Sequence, residues 1–337
     1  MTPGSVPKLS LGLALAGGLA VLAACLLGPT PYPPLDLLGI LFGGGDEVSR
    51  RIVFDIRLPR ALAAWLVGAT LGVSGAALQG LLRNPLAEPG VLGVSASAVL
   101  CATLVIFYGL AGLSVLVLPA AAIIGALTAT LFIAAVARRG ANMIVLILAG
   151  VGLSSFAGAM MALLMNLAPN PFTLSDMVNW TLGSVAYRSR DDILLVLPFM
   201  VFGLGVLWRE RRGLSALTLG EESAHALGVN LRRLRYGVIA GTGLMTGAGV
   251  ALAGAIGFLG IIAPHIIRPF VGYDPARSLL PSGLLAGLIL VVSDIAVRLL
   301  PGATELKLGV VAALIGAPVF VSIAIKGAKP VQGARHG

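Results

Sequence analysis

Residues 57–89 read RLPRALAAWLVGATLGVSGAALQGLLRNPLAEP, and this stretch decides the fold class. No residue between Arg60 and Arg83 is charged. The apolar run, about 58 to 80, is long enough at about 1.5 Å per residue to cross about 30 Å of hydrocarbon. Pro59 stands at the helix start, where its missing N–H costs nothing. Arg57 and Arg60 lie three apart and share one face at the outer end of the helix, and Asn84-Pro85 makes the turn after it. The stretch is a membrane span with a cationic rim.

The rest of the chain agrees. Of 337 residues, 58% are apolar and only 11% charged, with mean hydropathy +1.00, whereas a soluble domain carries roughly a quarter charged residues. The 45 glycines and 20 prolines fit helices that pack closely in lipid. Apolar runs between polar breaks give ten spans: about 9–28, 58–80, 91–109, 113–136, 142–166, 191–208, 236–252, 254–271, 279–299 and 308–325. Residues 236–271 read either as two short tilted helices or as one span followed by a broken helix. Lys8 and the first run mimic a secretion signal, but its length and the many later spans point to an uncleaved helix. The chain is all-α, polytopic and a single domain over 1–337.

The charges set an orientation. With the N-terminus inside, fifteen of the 23 Lys and Arg fall in inner segments and eight in outer ones, so both termini are expected in the cytoplasm. The longest inner excursion, 209–235, contains a short helix at about 218–228 with Glu221 near its start and Gly228 at its end, suited to docking a cytoplasmic partner. The outer segment 167–190 carries Trp180, placed by its type in the interfacial aromatic belt.

Several chemistries are absent from the sequence. There is no Gly-x-x-x-x-Gly-Lys-Ser/Thr and no Gly-Lys dipeptide, so the chain has no phosphate cradle for ATP. Gly241, Gly243, Gly247, Gly249 and Gly254 read as helix-packing positions. His225, His265 and His336 are too scattered for a metal site, and Cys25 and Cys101 lie singly in apolar runs, so no metal, catalytic or disulfide cluster is expected. Basic residues interleaved with exposed aromatics are missing, which excludes a nucleic-acid surface. Within the spans the ionisable residues are Asp294 and Arg298, spaced as an i, i+4 ion pair, with Glu305 just beyond. A gradient-driven secondary carrier would need Asp294 as its functional acid; this is the alternative reading. Arg57 and Arg60 either snorkel to headgroups or receive carboxylates from an external protein.

The pattern resembles the iron-chelate, haem and cobalamin permeases of binding-protein-dependent ABC importers. The resemblance runs from Arg57-Leu58-Pro59-Arg60 through Arg83-Asn84-Pro85-Leu86-Ala87-Glu88-Pro89 and Leu92-Gly93-Val94-Ser95. It continues with Leu219-Gly220, Ala224 and Leu227-Gly228, then Gly254 to Gly260, Pro264-His265, Asp294, Arg298, Glu305 and Gly316 to Phe320. It implies a homodimer in the bacterial inner membrane, two ATPase subunits that carry ATP and Mg, and a periplasmic binding protein. No cofactor is implied on the chain itself, which is a transport subunit and not an enzyme. By resemblance, Arg57, Arg60 and Arg298 dock the binding protein. Leu219, Gly220, Glu221, Ala224, Leu227 and Gly228 couple to the ATPase, and Asn84 and Leu86 form a cytoplasmic gate. The implied cargo is a ferric siderophore or haem, with cobalamin next. Two stretches depart from the family pattern: Lys307 follows Glu305-Leu306 where proline is usual, and Asp274-Pro275-Ala276-Arg277 replaces an Asp-His-Arg loop.

Overall fold

A computed structural model describes residues 5–28, 33, 36, 39–40, 43–139, 143–300 and 305–327. The tail bearing Lys329, Arg335 and His336 lies outside the described residues. Among the described residues every regular element is helical. The principal helices are α1 (Ser5–Leu26), α2 (Glu47–Arg51), α3 (Leu58–Leu82), α4 (Val94–Phe107), α5 (Val117–Arg138), α6 (Met143–Asn166) and α7 (Pro171–Leu182). They continue with α8 (Arg190–Leu217), α9 (Glu221–Ala226), α10 (Leu231–Ala253), α11 (Leu259–Ile267), α12 (Pro275–Leu299) and α13 (Leu308–Gly327).

Among the described residues seven segments are long and apolar enough to cross a membrane, and α4, α11 and α13 lie in shorter apolar ones. The inner helices are α3 and α10, each with 78% of its most apolar window buried, against 17% for α6 and 22% for α1 and α8. α3 packs on α12, α10 and α11, while α10 packs on α5 and α8. Glycine allows this closeness: a Cβ at Gly68 or Gly72 would run into α12 backbone, and one at Gly75 into the Gly260 carbonyl of α11. The α10 glycines also serve packing, since Cβ atoms at Gly241 and Gly247 would come within 2.8 Å of Leu207 and 2.5 Å of Ala126.

Three boundaries differ from the sequence reading. α3 is preceded without interruption by a π-helical turn (Ile52–Arg57) and α2, so Arg57 lies inside a continuous helical segment from Glu47 to Leu82. α8 runs to Leu217 and α10 starts at Leu231, so about half of the 209–235 excursion is helix extension and the connection itself is 218–230, with α9 inside it. The 167–190 segment contains α7, capped by Asn170 accepting from the Thr173 N–H at 2.8 Å. Trp180, on α7, is buried and not displayed to an interface: its ring lies under the Arg188 guanidinium at 5.4 Å.

The ambiguous 236–271 stretch is one long helix followed by a broken one. Backbone left unpaired at membrane depth must find partners inside the protein. Here the Ser184 N–H donates to Ala253 O at 2.7 Å and the Gly309 N–H to Gly183 O at 3.2 Å. Phe258, which begins α11, has φ 67°, a left-handed conformation costing a non-glycine residue roughly 1–2 kcal/mol.

Candidate functional site

Contacts sort the polar residues to two ends of the bundle. At one end, three arginines converge on α1 and α12. Arg57, 5% exposed, donates from one nitrogen to Cys25 O at 2.8 Å and Leu26 O at 3.1 Å. Arg298 donates to Ala24 O at 3.1 Å and pairs with Asp294 at 3.1 Å. Together they cover the last carbonyls of α1, which have no helical partner of their own. Arg60 turns the other way. Its guanidinium grips the buried Asp294 at 2.8–3.2 Å and also pairs with Glu305. Arg57 and Arg60 therefore share a helical segment but turn to different places, Arg57 to carbonyls of α1 and Arg60 to Asp294 and Glu305, and the i, i+4 pairing of Asp294 with Arg298 is joined by a second cation. Arg190 completes this end by donating to Phe54 O at 3.0 Å beside Asp55.

Arg188 and Lys307 line a cavity of about 630 Å³ at the same end, with Asp176, Asn179 and Trp180. Burial holds the Arg188 guanidinium below its usual pKa, with Asp192 opposing the effect. Lys307, where the family usually has proline, leaves the start of α13 regular: the Val310 N–H donates to its carbonyl at 3.1 Å.

The opposite end carries α9. The helix expected at about 218–228 is regular over Glu221–Ala226, bounded by Gly220 (φ 101°) and Gly228 (φ 84°), conformations that favour glycine. Ala224 is fully buried, and Arg235 of α10 holds both oxygens of Glu221 at 2.9 Å. Leu219 and Leu227, each 65% exposed, flank the helix on the outside. Nearby, Ser215 of α8 donates to Asp274 at 2.5 Å, and Asp274 caps α12 by accepting from the Ala276 N–H at 2.9 Å. The Asp274-Pro275-Ala276-Arg277 variant thus makes an ordinary N-cap with proline at the first turn.

The turn after α3 lies toward the α9 end, where a Cβ at Gly80 would meet Pro275 of α12 at 2.7 Å. Arg83 is left-handed (φ 46°), and the Asn84 side chain accepts from the Leu86 N–H at 2.9 Å, closing a local Asx turn. Four residues beyond Asn84, Glu88 accepts from the Phe258 N–H at 3.1 Å. What surface Glu88 keeps faces a cavity of about 310 Å³ between α3, α4, α7, α13 and the 255–258 segment. Burial pushes its carboxyl up to about 7, opposed by the Phe258 N–H. The sequence reading quoted Glu88 only within its motif. An acid six residues before the start of α4, with no basic residue within four positions, was the available signal. Among the described residues no group of three or more His, Cys, Asp or Glu could hold a metal ion.

Against known proteins, residues 15–326 match the FecCD transport family. The chain belongs to that family. It is 40% identical over 290 residues to an uncharacterised ABC transporter permease, YvrB, of Bacillus subtilis, covering 84% of this chain and 81% of that one. It is 41% identical over 289 residues to the vitamin B12 import system permease BtuC of Escherichia coli O157:H7, covering 84% and 87%. A solved metal-chelate type ABC transporter in an inward-facing conformation superimposes with TM-score 0.84 at 30% identity, over 95% of this chain and 99% of that one. As a FecCD member the chain is the permease subunit of an ABC importer and a multi-pass inner-membrane protein. This membership sets aside the gradient-driven carrier, and Asp294, clamped by two guanidinium groups, is suited to structure more than to proton exchange.

Proposed function

We propose that this FecCD permease moves a large metal chelate into the cytoplasm, with cobalamin the first cargo to test and ferric siderophores and haem after it. The observation that carries this order is the set of relatives at 39–41% identity over more than four-fifths of their length that are named as vitamin B12 import permeases. It reverses the order given by the sequence motifs alone. A homodimer of ten-span subunits with both termini cytoplasmic, two ATPase chains and one periplasmic binding protein complete the reading. The α9 end then faces the cytoplasm and the ATPase, and the three-arginine end faces the binding protein. Support for that orientation comes from the charges: α9 is surrounded by the Arg-rich ends of α8 and α10, as the positive-inside rule expects. Asn84 and Leu86, in the turn after α3, form the gate. ATP is hydrolysed on the partner, and this chain supplies a pathway with two states.

The deciding test is uptake by the chain reconstituted in liposomes with the ATPase and binding protein that copurify with it. Labelled cyanocobalamin should accumulate only with ATP. Accumulation by the chain alone under an ion gradient would overturn the importer reading, and ATP-driven uptake of ferric siderophore or haem in preference would overturn the cargo.

Docking can be examined separately. Arg57 is committed to α1, whereas Arg60 reaches the half-exposed Glu305, so an acidic residue of the binding protein meets Arg60 in competition with Glu305. Arg60→Gln should weaken binding-protein affinity by at least tenfold, and Glu305→Gln should tighten it several-fold. Equal affinity in both variants, measured by titration of the purified complex, would remove Arg60 from the interface.

A further inference from the structure

Phe258 is the point at which three parts of the chain meet. Its N–H is held by Glu88, which lies in the loop after the Asn84–Leu86 turn. Its carbonyl accepts from the Ile261 and Ile262 N–H groups at 2.9 and 3.0 Å, starting α11. Its ring sits edge-on to Phe320 of α13, with centroids 6.4 Å apart, and its Cβ fills the space that a side chain at Gly316 would need. Close by, the Gln79 side chain of α3 donates to Gly260 O at 3.0 Å, so α3 and the loop that follows it both grip the first turn of α11.

Among the described residues Glu88 is the one ionisable side chain lining its cavity. The others, from α3, α4, α7, the 255–258 segment and α13, are Leu71, Ser95, Thr181, Leu182 and small or apolar residues. The ionisable residues nearest in sequence to Glu88 and to Phe258, Arg83 on the turn and His265 on α11, are both exposed. An isolated carboxyl of this kind is costly to keep, and an apolar residue would fill the space at lower cost. Its position over a strained backbone N–H gives it a task. A carboxylate bonded to an N–H is a stronger tie than a neutral acceptor, and the α11 N-terminus adds its own attraction for negative charge.

We propose that Glu88 is a positioning residue of the gate: by holding the Phe258 N–H it locks the Asn84–Leu86 turn to the start of α11 and, through the Phe258 ring, to α13. The gate role of that turn rests on the function proposed above, but the tie itself does not. Movement of α11 or α13 during the transport cycle is transmitted to the turn through this hydrogen bond, beside the Gln79–Gly260 tie made by α3 itself.

The test reads the turn directly on the purified permease in proteoliposomes. Cys25 and Cys101, the two cysteines of the chain, are replaced by serine and alanine, Leu86→Cys is introduced, and its labelling by a membrane-impermeant maleimide is timed. At pH 6 Glu88→Ala should change the labelling rate at least fivefold, and Glu88→Gln should restore most of it by keeping an acceptor oxygen. A neutral glutamic acid resembles glutamine, so the wild-type rate divided by the Glu88→Gln rate should be near one at pH 6 and shift several-fold by pH 8, as Glu88 ionises. The ratio cancels the ionisation of the probe cysteine itself. Equal rates in all backgrounds, or a ratio that stays flat with pH, would overturn the proposal, and the second readout stands even if Glu88→Ala fails to insert. Altered labelling together with unaltered cobalamin uptake by the complete complex would keep the tie and refute the gate role of the turn.

Discussion

Asp294→Ala should lower the thermal midpoint of the purified permease by roughly 5–10 °C, corresponding to about 3–5 kcal/mol. Asp294 is 1% exposed and meets Arg60 at 2.8 Å and Arg298 at 3.1 Å, which are themselves largely enclosed. Removing the shared anion leaves two largely enclosed guanidinium groups near one another, with Glu305 paired to Arg60 as the remaining carboxylate, and it frees Arg298 from the geometry that caps α1. Breaking a buried pair in this way is far worse than never having had it. Glu47→Ala provides the contrast: its pair with Arg51 joins side chains 72% and 79% exposed, and its loss should cost well under 1 kcal/mol. Equal midpoints for Asp294→Ala and wild type, by fluorescence-detected unfolding in detergent, would show that the cluster is incidental to stability. Asp294→Asn should fall between the two, because the amide keeps an acceptor oxygen while losing the charge.

That cluster illustrates what local reading reaches. The i, i+4 spacing of Asp294 and Arg298 was visible in the sequence because both lie on one helix. The arrival of Arg60 from 234 residues away was not, nor was the turning of Arg57 onto carbonyls of α1. The long apolar runs that became α1, α3, α5, α6 and α12 were legible because hydrocarbon thickness fixes a minimum length that composition reports directly. Where the chain escapes that rule the reading lost resolution. α7 is twelve residues in a polar, proline-bearing segment, and α8 and α10 continue past their apolar windows on arginine-rich turns whose alkyl stems tolerate helix. The break at 254–258 was readable as a break, since glycine punctuates it. Its structure depends on Glu88, Gln79, Ser184 and Gly309, four positions scattered along the chain, and no periodicity encodes that convergence.

Replacing Leu219 and Leu227 together by aspartate should abolish copurification of the ATPase and all ATP-driven uptake, while leaving the permease folded. Six residues cannot hold a helix by themselves, so α9 depends on its anchors: the buried Ala224, the Glu221–Arg235 pair, and the Val229 N–H donating to Ala224 O at 3.0 Å. None of these involves Leu219 or Leu227, whose side chains are 65% exposed and contribute little to the fold, and surface changes of this kind usually stay within about 0.5 kcal/mol. Two leucines held in fixed positions at the end of a bundle, beside acidic Glu222, are poor company for water and well suited to a hydrophobic recess on a soluble partner. Central apolar anchors cost about 2 kcal/mol or more each when lost, so the pair should weaken ATPase affinity by on the order of a thousandfold. Glu221→Gln tests the other half of the design: it leaves both leucines in place but loosens α9 from Arg235, and should lower uptake more than ATPase binding, because a partner that still docks would push on a helix no longer fixed to α10. Normal recruitment of the ATPase by the double aspartate variant would move the coupling surface away from α9. Normal uptake by Glu221→Gln would mean that force passes through the buried Ala224 contact alone.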